Sequence, residues 1–200
     1  MIKIKNKKLV ILAGGYGSRL SEETIIRPKP MVEIGGVPII IHIMNYFSFF
    51  GVNDFIICAG YKANFIKNYF KKNINSAHKI NLNKKNKLQI KSQWNIKVVD
   101  TGLRSLTAKR IKKIEKYIEH DNFFLTYGDG LSNVDLNKLY NHHKSKGKLV
   151  TVTAVLPPPR FGSLVISKNS VVKKFSEKPS NNNNFINGGF FVINKKAIDL

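Results

Sequence analysis

The sequence predicts an α/β fold, a mostly parallel sheet flanked by helices, with a mixed C-terminal part. Three observations lead there. Apolar strand-like runs alternate with amphipathic stretches from the N-terminus onward, as in chains built from βαβ units. Glycines gather directly after strand signals, at Gly14-Gly15 and at Gly128-Asp129-Gly130. After Pro157 the spacing changes to short strands, Ser163 to Ile166, Val171 to Phe175 and Phe190 to Ile193.

Leu9 to Leu12 reads as the first strand, and Ile39 to Phe50 as a helix that begins after Pro38 and stops at Gly51. The continuous apolarity of Phe55-Ile56-Ile57-Cys58 suits a central strand. Asn64 to Lys72 places Phe65, Ile66, Tyr69 and Phe70 on one helical face. Composition then turns to Lys and Asn, so 73–91 reads as an exposed insertion. Trp94 to Asp100 resumes as a strand, followed by a helix from Leu106 to Ile118 with Ile111, Ile114 and Ile118 inward, and a strand from Phe123 to Tyr127. Asp135 is placed to cap a helix that turns Leu136, Leu139, Tyr140 and His143 inward and stops at Gly147. Leu149 to Val155 completes the α/β part, and Lys195 to Leu200 opens as a helix.

A chain of 200 residues with 42% hydrophobic content can bury a substantial core, and 1–200 reads as a single domain. The formal charge of +22 points to polyanionic ligands. Arginine, the usual reader of bases, is confined to Arg19, Arg27, Arg104, Arg110 and Arg160. The Lys/Asn-rich insertion has no aromatic residue for base stacking before Trp94, which argues against nucleic acid as the partner. Cys58 is the only cysteine, so the chain has no internal disulfide and no thiolate zinc cage, in keeping with a reducing cytoplasm. No apolar stretch approaches the roughly 20 residues that span a bilayer, and the run after Lys8 ends in glycines before it could serve as a signal peptide. His142-His143 is no metal pair, because neighbouring residues on a helix point in different directions.

The loop after the first strand carries the chemistry. Leu12-Ala13-Gly14-Gly15-Tyr16-Gly17-Ser18-Arg19 lacks the Lys-Ser/Thr pair of a Walker loop and the third glycine of the dinucleotide fingerprint. Its glycines still allow backbone N–H groups to approach a phosphate chain. Arg19 beside them and Lys29, held between Pro28 and Pro30, add two cations on a stiffened segment. Asp129, fixed between two glycines after an apolar strand in a chain with 12 acidic residues, is hard to explain as surface solvation.

These segments, together with Ser21-Glu22-Glu23-Thr24, Met31-Val32-Glu33-Ile34-Gly35-Gly36, Asp100-Thr101-Gly102, Arg160-Phe161-Gly162, Glu177-Lys178-Pro179 and Ile186-Asn187-Gly188-Gly189-Phe190-Phe191, resemble the sugar-1-phosphate nucleotidyltransferases, in particular their cytidylyl branch. The resemblance runs from Leu9 to the last residue and implies a Rossmann-like fold. It implies transfer of a cytidylyl group from CTP to glucose 1-phosphate with Mg²⁺ as cofactor, and assembly as a homo-oligomer. A uridylyl- or thymidylyltransferase acting on a hexose 1-phosphate is the alternative.

By the same resemblance, Leu12, Ala13, Gly14, Gly15, Tyr16, Gly17 and Ser18 wrap the nucleotide, with Ser105, Arg110 and Gly128. Arg19 and Lys29 neutralise its phosphates, and Asp129 holds the metal. Lys178 binds the sugar phosphate, Glu177 and Asn187 the glucose hydroxyls, and Gly162 and Gly188 admit the ring. The chain departs from the pattern at Thr107-Ala108-Lys109-Arg110, where relatives have two glycines before the arginine. Because the family pattern continues past Leu200 with a second metal-binding aspartate and packing helices, the resemblance also implies that the chain is a fragment.

Overall fold

The computed structural model describes residues 7–17, 26–74, 94–157, 163–176 and 185–200, together with residues 4 and 24. In chain order, β1 (Lys8–Ala13) leads to a small hairpin of β2 (Glu33–Ile34) and β3 (Val37–Pro38), then α1 (Ile39–Phe49), β4 (Asp54–Ala59) and α2 (Ala63–Ile74). Next come β5 (Asn95–Asp100), α3 (Thr107–Ile114), β6 (Asn122–Tyr127), α4 (Leu136–Lys146) and β7 (Val150–Val155). The chain closes with β8 (Ser163–Ile166), β9 (Val172–Ser176) and β10 (Ile186–Asn194).

Leu9, Val10 and Ile11 are wholly buried, which requires helices on both faces of the strand and a partner on both edges. β1 pairs in parallel with β4, from Lys8 opposite Asp54 to Ala13 opposite Ala59, and in parallel with β6, from Leu9 opposite Phe124 to Leu12 opposite Tyr127. β5 adds in parallel to β4, and β10 runs antiparallel to β6 with Phe190 opposite Thr126. The sheet order is β5-β4-β1-β6-β10-β7.

Alternate residues of each strand feed two cores. Leu9 and Ile11 join Phe47, Phe55, Phe124 and Phe190 on one face, where Phe47 and Phe190 stack with ring centres 5.9 Å apart. Val10 joins Ile56, Cys58, Ile114, Phe123 and Leu125 on the other.

Met1–Thr151 and Gly189–Leu200 form one compact unit, and Val152–Gly188 a second. Within the second, β8 and β9 form an antiparallel hairpin with an irregularity between Val165 and Ile166. Its Leu164, Val165, Val172 and Phe175 are all exposed.

Several sequence expectations need correction. The helix expected from Leu106 to Ile118 ends at Ile114 and tightens into a 3-10 turn at Glu115–Tyr117, a common form of helix end. Lys195–Asp199 is likewise a 3-10 turn, capped by the Asn194 side chain. Phe65 is 41% exposed, while Ile66 and Phe70 of the same helix are buried. The β2–β3 hairpin at Gly35-Gly36 was not anticipated. The inward turn of His143, the Asp135 cap and the Gly147 stop are as expected. Of the 73–91 insertion only Asn73 and Ile74 are described, as the end of α2; the rest lies outside the described residues. No helix among the described residues is long and apolar enough to cross a membrane.

Candidate active site

The strand order reverses at β1. The chain adds β4 and β5 on one side and returns to place β6 on the other. In open α/β sheets the carboxyl ends of strands at such a reversal flank the ligand crevice. Here they frame a cavity of about 410 Å³.

Leu12, Ala13, Gly14, Gly15 and Gly17 line it from the end of β1, and Tyr127, Gly128 and Asp129 from the end of β6. The backbone N–H of Gly128 donates to the Leu12 carbonyl at 2.9 Å, so the β6 turn is pinned to β1. A Cβ at position 128 would lie 2.8 Å from Pro30 Cγ, so only glycine lets the turn approach so closely.

Lys29 opens a 3-10 turn, Lys29–Met31, whose buried Pro30 and Met31 anchor it while Pro28 precedes it in extended conformation. Its Nζ reaches Asp129 Oδ2 at 2.5 Å, with the two side chains 27% and 33% exposed. An ammonium and a carboxylate, paired with each other, thus both line the cavity. Among the described residues, no group of three or more His, Cys, Asp or Glu side chains could hold a metal. One accessible carboxylate nevertheless fits Mg²⁺, which commonly takes one or two carboxylates and completes its shell with phosphate oxygens and water.

Ser105, Leu106, Thr107 and Arg110 line the cavity at the start of α3. Ser105 Oγ donates to the Thr101 carbonyl at 2.6 Å. Arg110 is buried, and its guanidinium donates to Gly14 O at 2.9 Å, Gly102 O at 2.9 Å and Thr101 Oγ1 at 2.6 Å. Burial lowers its pKa, an effect that Cys58 and Asp100 oppose. Tyr16 is half exposed and does not line the cavity; its ring lies 5.5 Å from that of Tyr61. The Cys58 thiol is pushed up to about 12, mainly by burial, and offers no nucleophile.

The structure therefore brings together most of the nucleotide residues expected from the sequence. Ser18, Arg19, Gly162, Glu177 and Lys178 lie outside the described residues. Asn187 and Gly188 sit on β10 in the second unit, where a Cβ at Gly188 would approach Thr153 Oγ1 to 2.7 Å. Sequence reasoning missed Gly60, which follows β4 as Gly14 follows β1; the repeated glycine after a strand was the available signal.

A glycine-lined crevice at a sheet reversal, with a lysine and an aspartate in its lining, is where enzymes of the open α/β class bind their ligands. Residues 8–200 match the nucleotidyl transferase family, and the chain belongs to it. It is 47% identical over 199 residues to the glucose-1-phosphate cytidylyltransferase of Salmonella typhi, covering 96% of this chain and 77% of that protein. The Salmonella typhimurium enzyme of the same name gives the same identity and coverage. Among solved structures, HddC from Yersinia pseudotuberculosis superposes with a TM-score of 0.66 at 28% identity, covering 96% of this chain and 79% of that one.

Proposed function

We propose that the protein transfers a cytidylyl group from CTP to glucose 1-phosphate, giving CDP-glucose and pyrophosphate. The observation that carries this reading is the convergence of the β1 glycine loop, Lys29 and Asp129 on one cavity. The choice of base and sugar is supported by the likeness to the Salmonella enzymes.

In the reaction, a phosphate oxygen of glucose 1-phosphate forms a bond to the α-phosphorus of CTP. The bond from that phosphorus to the bridging oxygen breaks, and pyrophosphate leaves with the electron pair. A phosphate monoester has its second pKa near about 6, so the attacking group is already anionic at neutral pH. No catalytic base is needed, and catalysis consists of alignment and charge neutralisation.

The backbone of Gly14, Gly15 and Gly17, with Ser18, cradles the triphosphate. Arg19 and Lys29 balance its charge and that of the departing pyrophosphate, and Asp129 is the residue that would hold Mg²⁺. Bound there, the metal would supply further neutralisation of the phosphate oxygens. Lys178 is assigned to the sugar phosphate, with Glu177 and Asn187 to the glucose hydroxyls and Gly162 and Gly188 beside the ring. Assembly as a homo-oligomer and residence in the cytoplasm belong to the same proposal.

Pyrophosphate release from the four ribonucleoside triphosphates and dTTP, with glucose 1-phosphate and Mg²⁺, tests it. CTP is expected to give the highest kcat/KM. Preference for UTP or dTTP would move the protein to the uridylyl or thymidylyl branch. Tight binding of single-stranded RNA with no turnover of any nucleotide would sink the enzymatic reading.

A further inference from the structure

We infer that Arg110 is a positioning residue of the nucleotide site: its guanidinium fixes the Gly14 carbonyl and with it the glycine loop, and positions 14 and 60 lack side chains in order to admit it. The inference rests on reading the cavity as the nucleotide site.

Geometry carries it. Nη1 donates to Ala59 O at 3.2 Å, Thr101 Oγ1 at 2.6 Å and Gly102 O at 2.9 Å. Nη2 donates to Gly14 O at 2.9 Å and Leu103 O at 3.3 Å. These acceptors sit at or just beyond the ends of β1, β4 and β5, three adjacent parallel strands, so one planar group ties together the strand ends on that side of the cavity. Both terminal nitrogens carry two hydrogens each, and all four are engaged with the protein. Those four hydrogens are therefore committed to shaping the strand ends.

The space around the guanidinium gives a second, independent observation. A Cβ at position 14 would lie 2.1 Å from Nη1, and one at position 60 would lie 2.6 Å from Nη1 and 2.7 Å from the Gly14 carbonyl. A side chain at 14 could be admitted only by displacing the guanidinium from its hydrogen bonds, which ties the glycine to the arginine. Gly15, by contrast, has nothing within 4 Å of its own Cβ position and remains open toward a ligand. Arg110 takes part in none of the ion pairs formed among the described residues. Its hydrogen-bond acceptors among the described residues are neutral and Asp100 acts on it only through space, so its charge is offset in part and contributes a positive field at the loop.

The test is a double-mutant cycle on the full chain, Gly14→Ala, Arg110→Ala and the two combined, with calorimetric CTP binding, steady-state kinetics and thermal melts. Each single change is expected to weaken CTP binding about tenfold, a usual scale for a coupled contact. The double variant is expected to bind within about threefold of Arg110→Ala, because the new methyl group occupies the space the guanidinium vacated. KM for CTP should rise while KM for glucose 1-phosphate holds, a split that general loosening of the fold would not produce. Arg110→Lys should fail to restore binding, since an ammonium cannot bridge Gly14 and Gly102.

Losses that multiply in the double variant, a neutral Gly14→Ala, or full rescue by lysine would each overturn the inference. If Arg110→Ala does not fold, Gly14→Ala and Gly60→Ala in a folded Arg110→Lys background supply the same cycle. If the wild-type chain binds no nucleoside triphosphate, the nucleotide reading fails, while non-additive melting temperatures across the cycle still decide whether Gly14 and Arg110 act as one unit.

Discussion

Lys29 and Arg110 are two cations of one cavity held in opposite ways. Lys29 stands on a proline-stiffened turn at the mouth, partly solvated, its charge matched by Asp129. Arg110 is buried, engaged by four backbone carbonyls and a threonine hydroxyl, and forms no ion pair among the described residues, Asp100 acting on it only through space. The difference teaches how one site combines adaptability with order. A point charge on a flexible stem can exchange one oxygen partner for another, whereas a planar fork locked into carbonyls can only hold shape. In the proposed reaction the movable charge serves where substrate charge changes, and the fixed one serves to hold the loop.

Asp129→Asn is expected to have the largest effect. It removes the carboxylate that faces Lys29 while keeping size and hydrogen bonding, and turnover is expected to fall by about 100-fold or more. Pyrophosphate release across a Mg²⁺ series should show weakened metal activation in parallel; wild-type rates at every concentration would refute the role given to Asp129.

Lys29→Ala is expected to cost about 10–100-fold in kcat/KM for CTP, with a slower chemical step. Lys178→Ala should act mainly on the KM for glucose 1-phosphate. Identical kinetic effects of the two changes on both substrates would erase the proposed division of labour.

Ionic strength sharpens the contrast between the cations. Exposed charges are screened by salt far more than buried ones, whose Debye environment excludes counterions. The salt dependence of CTP binding should therefore flatten in Lys29→Ala and keep its slope in Arg110→Ala. An equal flattening in both variants would show that Arg110 is as accessible to solvent ions as Lys29.

The smallest effect concerns a titratable group on neither wall of the cavity. His143 is buried, its Nε2 donating to Asn122 Oδ1 at 3.2 Å and its Nδ1 accepting from Thr151 Oγ1 at 2.9 Å. Asn122 Oδ1 also accepts from Asn194 Nδ2 at 3.0 Å, which fixes it as the acceptor and Nε2 as a protonated nitrogen; burial favours the neutral ring, in which Nδ1 accepts from Thr151. Burial, then Lys144, lowers the histidine pKa. The unfolded chain takes up a proton near about pH 6.5 that the folded chain resists, so this stability is present above that pH and lost as pH falls toward the depressed folded value. Melting curves at successive pH values should show a shallower acid decline for His143→Gln than for the wild type, and an unchanged decline would remove His143 from the account.

Much of this was legible in the sequence because it is local. An apolar run ending in glycines places β1 and its loop, Pro28 and Pro30 mark the stiff segment, and Asp135 and Gly147 bracket α4 by capping chemistry. What stayed hidden is long-range. The apolar pattern of Phe190 to Ile193 signals a strand but carries neither its direction nor its seat beside β6. The two-residue strands around Gly35-Gly36 are too short for a period to register. Arg110 enters as a nucleotide contact through the family resemblance alone; only the packing shows its guanidinium filling the space left by Gly14 and Gly60.

The seat of β10 has a consequence for synthesis on the ribosome. Thr126 Oγ1 donates to the Gly189 carbonyl, and 63 residues separate them along the chain. At about 5–20 residues per second, the free edge of β6 waits several seconds for the strand that will cover it. During that interval the nascent sheet presents unpaired backbone groups next to Phe123, Phe124 and Leu125, the pattern that invites strand addition by a neighbouring chain. Slower translation between Tyr127 and Ile186 would lengthen that exposure, and a holdase chaperone that shields strand edges would find its natural target there.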